Sequence, residues 1–295
     1  MIERLRRPSS WPFYFTVLIY AALIWLQGLS NSLLQIVHEF EIALTMALGS
    51  FVAGGTALGG GAVAFPVMTK VLAIDPATAK VFSLAIQSFG MTAAAITIFC
   101  RRIPIYTNIV FMALPMSALG VAISLLYVAP FAPRLLVKSI FSFLLLCFAI
   151  TMVLRWWRKA HHQPSAEHIK PSLGRFLLVG FVGGIASGLV GSGSDIALFA
   201  LLIIAYQADI KKATATSVVV MAFTSLVGSA INAWHLNTIT PEIEQYLLAA
   251  IPIVVVGAPL GAYVCSKVKV GQLVSFLLLL ISLEVFFTGY ELWQQ

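Results

Sequence analysis

Long apolar runs separated by short polar stretches organise the chain. Read between charges, they fall at 11–30, 42–73, 77–99, 105–128, 135–154, 176–206, 212–235, 246–266 and 270–290. About 20 apolar residues suffice for a helix to cross a bilayer. The runs are continuous rather than alternating, which predicts transmembrane helices and argues against a membrane β-barrel. Two of the runs are longer than one crossing needs, and each is interrupted by glycine. The first interruption lies in Gly54–Gly61, with three consecutive glycines at Gly59, Gly60 and Gly61; the second lies in Gly188–Asp195, around Gly191 and Gly193. Glycine inside a helix costs about 1 kcal/mol relative to alanine, so both stretches predict helix breaks. Lipid cannot satisfy the backbone groups a break exposes, so each break must be buried in protein or line a polar cavity. Two breaks in corresponding positions of two halves point to a transporter's central site.

The halves repeat. Subtracting 134 from Gly188, Gly193, Phe199, Asp209, Ala213 and Ser217 gives Gly54, Gly59, Phe65, Asp75, Ala79 and Ser83; further on, Ala250, Pro252 and Gly257 match Ala113, Pro115 and Gly120 at an offset of 137. Glycine and proline recurring at fixed spacing reflect shared backbone demands, so an internal duplication is expected. Basic residues collect in cytoplasmic loops. Arg4, Arg6 and Arg7 place the N-terminus inside, as Arg101 and Arg102 place the loop that holds them, and the cluster from Arg155 to Arg175 places the connector. An odd number of crossings must then separate residue 41 from residue 100. That follows if 42–73 is a re-entrant hairpin returning outside, and the second half, starting inside, is its inverted copy. This arrangement puts fourteen of the eighteen Lys and Arg residues on the cytoplasmic side and the C-terminus outside. Lys70, Lys80, Arg134 and Lys138 fall on the outer side, where interfacial anchoring accounts for them.

The expected fold is therefore an all-α polytopic membrane protein with two inverted-topology repeats. Each repeat is a broken, re-entrant helical hairpin plus three transmembrane helices, and one extra N-terminal helix precedes them. The divisions are 1–39 for that helix, 40–157 for the first repeat, 158–175 for a cytoplasmic connector and 176–295 for the second repeat.

Composition sharpens this class. The chain is 60% hydrophobic and 10% charged with a mean hydropathy of +0.97, whereas soluble domains carry about 25% charged residues. Topology explains the net charge of +7, so nucleic acid is not an expected partner. Cys100, Cys147 and Cys265 show neither metal-ligand spacing nor a disulfide framework. No catalytic constellation, metal site or nucleotide-binding loop appears, so neither an enzyme nor a cofactor is expected.

The residues resemble the TauE/SafE family of membrane permeases, described as sulfite or organosulfonate exporters. The resemblance rests on Gly54, Gly59–Gly61 and Phe65-Pro66 in the first half, and on Gly180, Gly183-Gly184, Gly188 and Gly191-Ser192-Gly193 in the second. The small-residue helix Ala213-Thr214-Ala215-Thr216-Ser217 with Phe223-Thr224-Ser225 and Gly228 follows. It spans about residues 42–290. Where the family has a run of glycines, this chain carries Ser194-Asp195. The resemblance implies a secondary transporter, an exporter of sulfite or an organosulfonate, in the cytoplasmic (inner) membrane; a passive anion channel or uniporter is the alternative, and a non-transporting accessory protein a more distant one.

Breaks that meet near the midplane would present half-helix N-termini, with free N–H groups and partial positive charge, to an oxyanion. The candidate substrate-binding residues are Gly59, Gly60, Gly61, Gly191, Ser192, Gly193 and Ser194 at the breaks. Ser83, Gln87, Ser217, Thr224 and Ser225 join them from the following helices. Small residues also serve helix packing, and that reading stands beside the functional one for Ser83, Ser217 and Ser225. Asp195 is the only acidic residue within 176–206. A carboxylate there costs at least about 2.5–3.5 kcal/mol on insertion scales, so it is the candidate ion-coupling residue, carrying a proton or binding Na⁺; capping the following half-helix is the structural alternative. Glu284, in the last span, is expected to snorkel to water. The expected partners are a small anion, a coupling proton or Na⁺ and the lipid bilayer, with a homodimer as the assembly to consider.

Overall fold

The computed structural model describes residues 10–56, 59–160 and 172–268, with a few positions beyond as far as residue 282. Arg4, Arg6, Arg7, His161, His162, Lys170, Glu284 and most of the expected last span, 270–290, lie outside the described residues. Within them the chain is helical and contains no strand. The helices are α1 (Trp11–Gln27), α2 (Leu29–His38), α3 (Phe40–Gly55), α4 (Gly61–Pro66), α5 (Pro76–Cys100), α6 (Thr107–Ile123), α7 (Arg134–Ala160), α8 (Leu173–Val190), α9 (Ser194–Ile204), α10 (Ile210–Ala230) and α11 (Pro241–Lys267). Helices α4, α6 and α10 each continue into a π-helical turn, at Val67–Val71, Ser124–Val128 and Ile231–His235.

Among the described residues, five helices are long and apolar enough to cross a membrane, or six if the bent pair α1–α2 is counted as one span. The distribution of side chains fits that setting. Trp25, Phe111, Phe131 and Trp234 are exposed, while Ser83, Gln87, Ser117, Ser187, Asp195, Thr216 and Thr224 are buried. A soluble domain carries its large apolar groups inside; here the outer surface is apolar, as a lipid solvent requires. The first apolar run differs from a single straight helix. At Gly28 (φ 80°, ψ 155°) the chain turns, and α2 leaves α1 at 96°.

The two halves share backbone detail as well as sequence. Ala73 and Gln207, 134 residues apart, both adopt a positive φ (53° and 49°). The next amides repeat as well: Ile74 donates to the Met68 carbonyl (2.8 Å) and Ala208 to the Leu202 carbonyl (3.0 Å). Asp75 then caps α5 by accepting from the Ala77 amide, and Asp209 caps α10 by accepting from the Lys212 amide. Such caps satisfy N–H groups that the first helical turn leaves without a partner.

Packing crosses between the halves. Helix α8 lies along α6, α3 lies along α11, and α5 lies along α10. Under the sequence offset the first two pairs are each other's counterparts. Glycine allows both contacts. A Cβ at Gly120 or Gly184 would collide with the backbone oxygen of Phe181 or Ser117, and one at Gly54 or Gly261 with that of Ala258 or Phe51. Backbones in such contact gain dispersion energy that larger residues would block.

Candidate functional site

At the first break α3 ends at Gly55 and α4 begins at Gly61, with Thr56, Gly59 and Gly60 the described residues between them; the second runs from Gly191 to Gly193, between α8 and α9. Gly61 is already the first residue of α4. Gly54 and Gly188, read from sequence as part of the breaks, instead lie within α3 and α8 and face Ala258 and Ser124 at packing contacts. A glycine that opens a helix and one that admits a neighbouring helix look alike in sequence.

Helix α8 ends where Gly191 takes the left-handed conformation (φ 83°, ψ −3°) and its amide donates to the Ser187 carbonyl at 2.8 Å. Glycine tolerates this conformation best. The same Ser187 then ties the break together. Its hydroxyl accepts from the Ser194 amide (2.9 Å) and pairs with the Ser194 hydroxyl (3.1 Å). Sequence reasoning passed over Ser187; its only visible sign was a serine one residue before a glycine.

Asp195 is the second residue of α9 and is fully buried. Its Oδ1 accepts from the Ile196 amide (3.0 Å), the Gly193 amide (3.2 Å) and the Ser192 hydroxyl (3.3 Å). The Gly193, Ser194 and Ile196 amides are therefore occupied by protein groups, and in this conformation they do not stand open to an anion. Asp195 Oδ2 has no hydrogen-bond partner among the described residues.

Gln87 stands opposite. It is the twelfth residue of the 25-residue α5, about 17 Å along a helix of about 37 Å, which places it close to the middle. Its Nε2 donates to the Gly191 carbonyl (2.7 Å) and to the Ser83 carbonyl (3.1 Å). Both amide protons are thus used, which fixes the orientation of the amide. Gln87 Oε1 and the Ser83 hydroxyl are buried without a partner among the described residues.

The first break closes on this group. A Cβ at Gly59 would lie 2.5 Å from Asp195 Oδ2, 2.9 Å from Gln87 Oε1 and 3.0 Å from Ser192 Oγ. Gly59 also has a positive φ of 67°. Both reasons require glycine. The two breaks therefore touch, and Gly59, Gln87, Ser192 and Asp195 form one buried junction. Ser83 borders it through Gly191, whose Cβ position lies 2.8 Å from the Ser83 Cβ.

The remaining candidates are placed elsewhere. Ser217 and Ser225 return their hydroxyls to their own helix, at the Thr214 and Ala222 carbonyls. Thr224 bonds Ser117 on α6 (3.0 Å) and the Val220 carbonyl. None of the three hydrogen-bonds a break. Such back-bonding satisfies a hydroxyl locally.

A cavity of about 330 Å³ opens beside the first break, lined by Gly54, Gly55, Ile98, Arg101, Arg102, Ile103, Pro104, Asp209, Lys211, Thr214, Ala215, Ala262 and Ser266. Arg101 stacks on the Tyr263 ring (4.7 Å) and Lys211 donates to the Ser266 carbonyl (2.6 Å). The Arg102 guanidinium is exposed and makes no side-chain hydrogen bond or ion pair among the described residues. Three cations against one carboxylate make this mouth attractive to anions.

Comparison with known proteins decides the family: the model described as Sulfite exporter TauE/SafE matches residues 42–285. The chain belongs to the TauE/SafE family. This is a family of membrane transporters, and the match covers both breaks, α5, Asp195 and the basic cavity. No curated protein and no solved structure matches the chain. Among the described residues, no group of His, Cys, Asp and Glu is arranged to hold a metal ion.

Proposed function

We propose that this TauE/SafE protein is a secondary transporter that moves a small sulfur oxyanion, sulfite or an organosulfonate, across the cytoplasmic (inner) membrane by alternating access at the junction of its two breaks. The observation that carries this reading is the buried contact of Gly59 with Gln87, Ser192 and Asp195. Breaks from the two halves of a duplicated chain meet there, at mid-helix depth on α5. Broken helices at a repeat interface are where transporters place their substrate. The repeats are of inverted topology, with the N-terminus inside and the C-terminus outside. The crossed packing of α3 with α11 and α8 with α6 supports this, because each half supplies the scaffold for the other's break.

The anion is held by Gly59, Gly60 and Gly61 on one side and by Gly191, Ser192, Gly193 and Ser194 on the other, with Ser83 and Gln87 at the border. It enters through the cavity around Arg101, Arg102 and Lys211, whose lining includes Gly54 and Gly55 at the end of α3, beside the first break. By the distribution of basic residues that mouth faces the cytoplasm, which fits loading for export. The Gly193, Ser194 and Ile196 amides become available only when the second break itself rearranges, because Asp195 and Ser187 of the same half hold them. The sequence carries no nucleotide-binding loop, so an ion gradient, the membrane potential acting on the anion, or a partner drives transport.

A thermal-shift screen of the purified protein tests the substrate class. Sulfite and small sulfonates are expected to raise the melting temperature in a saturable way, and carboxylates of equal charge much less. Stabilisation by carboxylates with none from sulfur oxyanions would overturn the assignment.

A further inference from the structure

We infer that Asp195 carries a proton at Oδ2 that it donates to Gln87 Oε1, and that this proton fastens the two breaks together and is the coupling ion. The inference deepens the transport reading and rests on it for the coupling alone. Two buried oxygens without a partner among the described residues, Asp195 Oδ2 and Gln87 Oε1, flank the Cβ position of Gly59, at 2.5 and 2.9 Å. Either is costly alone, because a buried polar atom left unbonded costs about 1–3 kcal/mol. Gln87 cannot resolve the conflict by rotating its amide, since Nε2 already donates to two carbonyls. One proton on Oδ2 resolves it, turning an acceptor into a donor and satisfying both atoms at once.

Sodium does not fit the same place. The point where Asp195 Oδ2, Gln87 Oε1 and Ser192 Oγ converge is the Cβ position of Gly59, at 2.5–3.0 Å from each, and the glycine's own hydrogen occupies it. A cation needs that volume; a proton between two oxygens needs none. Among the described residues, no opposite charge offsets an ionised Asp195 either. Among the helices around it, Arg175 lies near the start of α8, and the basic residues of α7 lie at its two ends. Lys211 bonds Ser266 and Lys212 sits over the Tyr106 ring. Lys80 lies two turns from Gln87, toward Asp75, and Lys70 lies in the π turn that follows α4. No ion pair involves Asp195 among the described residues.

When the breaks part, water reaches Oδ2, the O–H bond breaks, the proton passes to water and a carboxylate stays behind. Repulsion between that carboxylate and an anion then favours departure of the substrate, so the two movements are linked. Infrared spectroscopy tests the proton without relying on transport. At neutral pH the wild-type protein should show a carboxylic-acid carbonyl band that shifts in D₂O and is missing in Asp195→Asn. A pH gradient should then drive anion accumulation several-fold in wild-type proteoliposomes and not at all in Asp195→Asn. Absence of the band, or its loss when Na⁺ replaces K⁺, would overturn the proton assignment. A protein that shows the band but moves no sulfur oxyanion keeps the proton bridge and overturns the transport reading instead.

Discussion

Gly59 has the least freedom of any residue at the junction. A Cβ there would lie within 3.0 Å of three polar oxygens, from α5, the second break and α9, and its φ is positive. Gly59→Ala places a methyl within 2.5 Å of Asp195 Oδ2, so the breaks must separate to accommodate it. Transport should fall at least about tenfold, a barrier change of about 1.4 kcal/mol, while the folded protein still elutes as the wild type does on size-exclusion chromatography; wild-type rates would remove Gly59 from the site. Ser187 acts differently, by bonding Ser194 twice. Ser187→Ala leaves the buried Ser194 amide without its acceptor, and a loss of about 1–3 kcal/mol is expected, read as a lower melting temperature. Arg102 lines the cavity and its guanidinium has no hydrogen bond or ion pair among the described residues, so Arg102→Gln should raise KM several-fold at low salt and have little effect at high salt, where steering is screened. An unchanged salt dependence would separate the cavity from the path of the anion.

At the scale of elements, the helices were legible because charges and glycines punctuate a nearly continuous apolar pattern. Helices α5, α6, α8, α10 and α11 lie within a few residues of the runs that predicted them. The triplet Gly59–Gly61 marked the first break because no packing need explains three adjacent glycines. The extent of the breaks was less legible. Gly54 and Gly188 sit in the same motifs yet serve helix contacts, since only the tertiary arrangement shows what a Cβ would meet. Ser217, Thr224 and Ser225 illustrate a similar limit: a hydroxyl in a small-residue helix can bond its own turn, and the sequence does not reveal its face. The meeting of Gln87 and Asp195 at Gly59 joins residues far apart in the chain and was invisible before folding, although each had been singled out alone. Gly184→Ala tests the packing role. Its methyl would meet the Ser117 oxygen of α6, and overpacking of this kind costs about 1–3 kcal/mol or more. It should lower the melting temperature more than Gly174→Ala, at a position where a Cβ would meet nothing within 4 Å.

Over the whole molecule, duplication explains why one half completes the other. Each break is backed by a helix of the opposite repeat, and α5 and α10 pair between them. The proposed inverted topology predicts that reporter fusions after Arg102 and within 158–175 report the cytoplasm, and fusions in the loop before Pro241 report the outside. The most direct test of the central claim, that the two breaks form one alternating-access site for a sulfur oxyanion, is counterflow by purified protein in proteoliposomes. With unlabelled sulfite or sulfonate trapped inside, labelled substrate should accumulate transiently above its equilibrium level, and Gly59→Ala should abolish the overshoot. Rapid equilibration without overshoot would contradict alternating access and indicate a passive anion pathway.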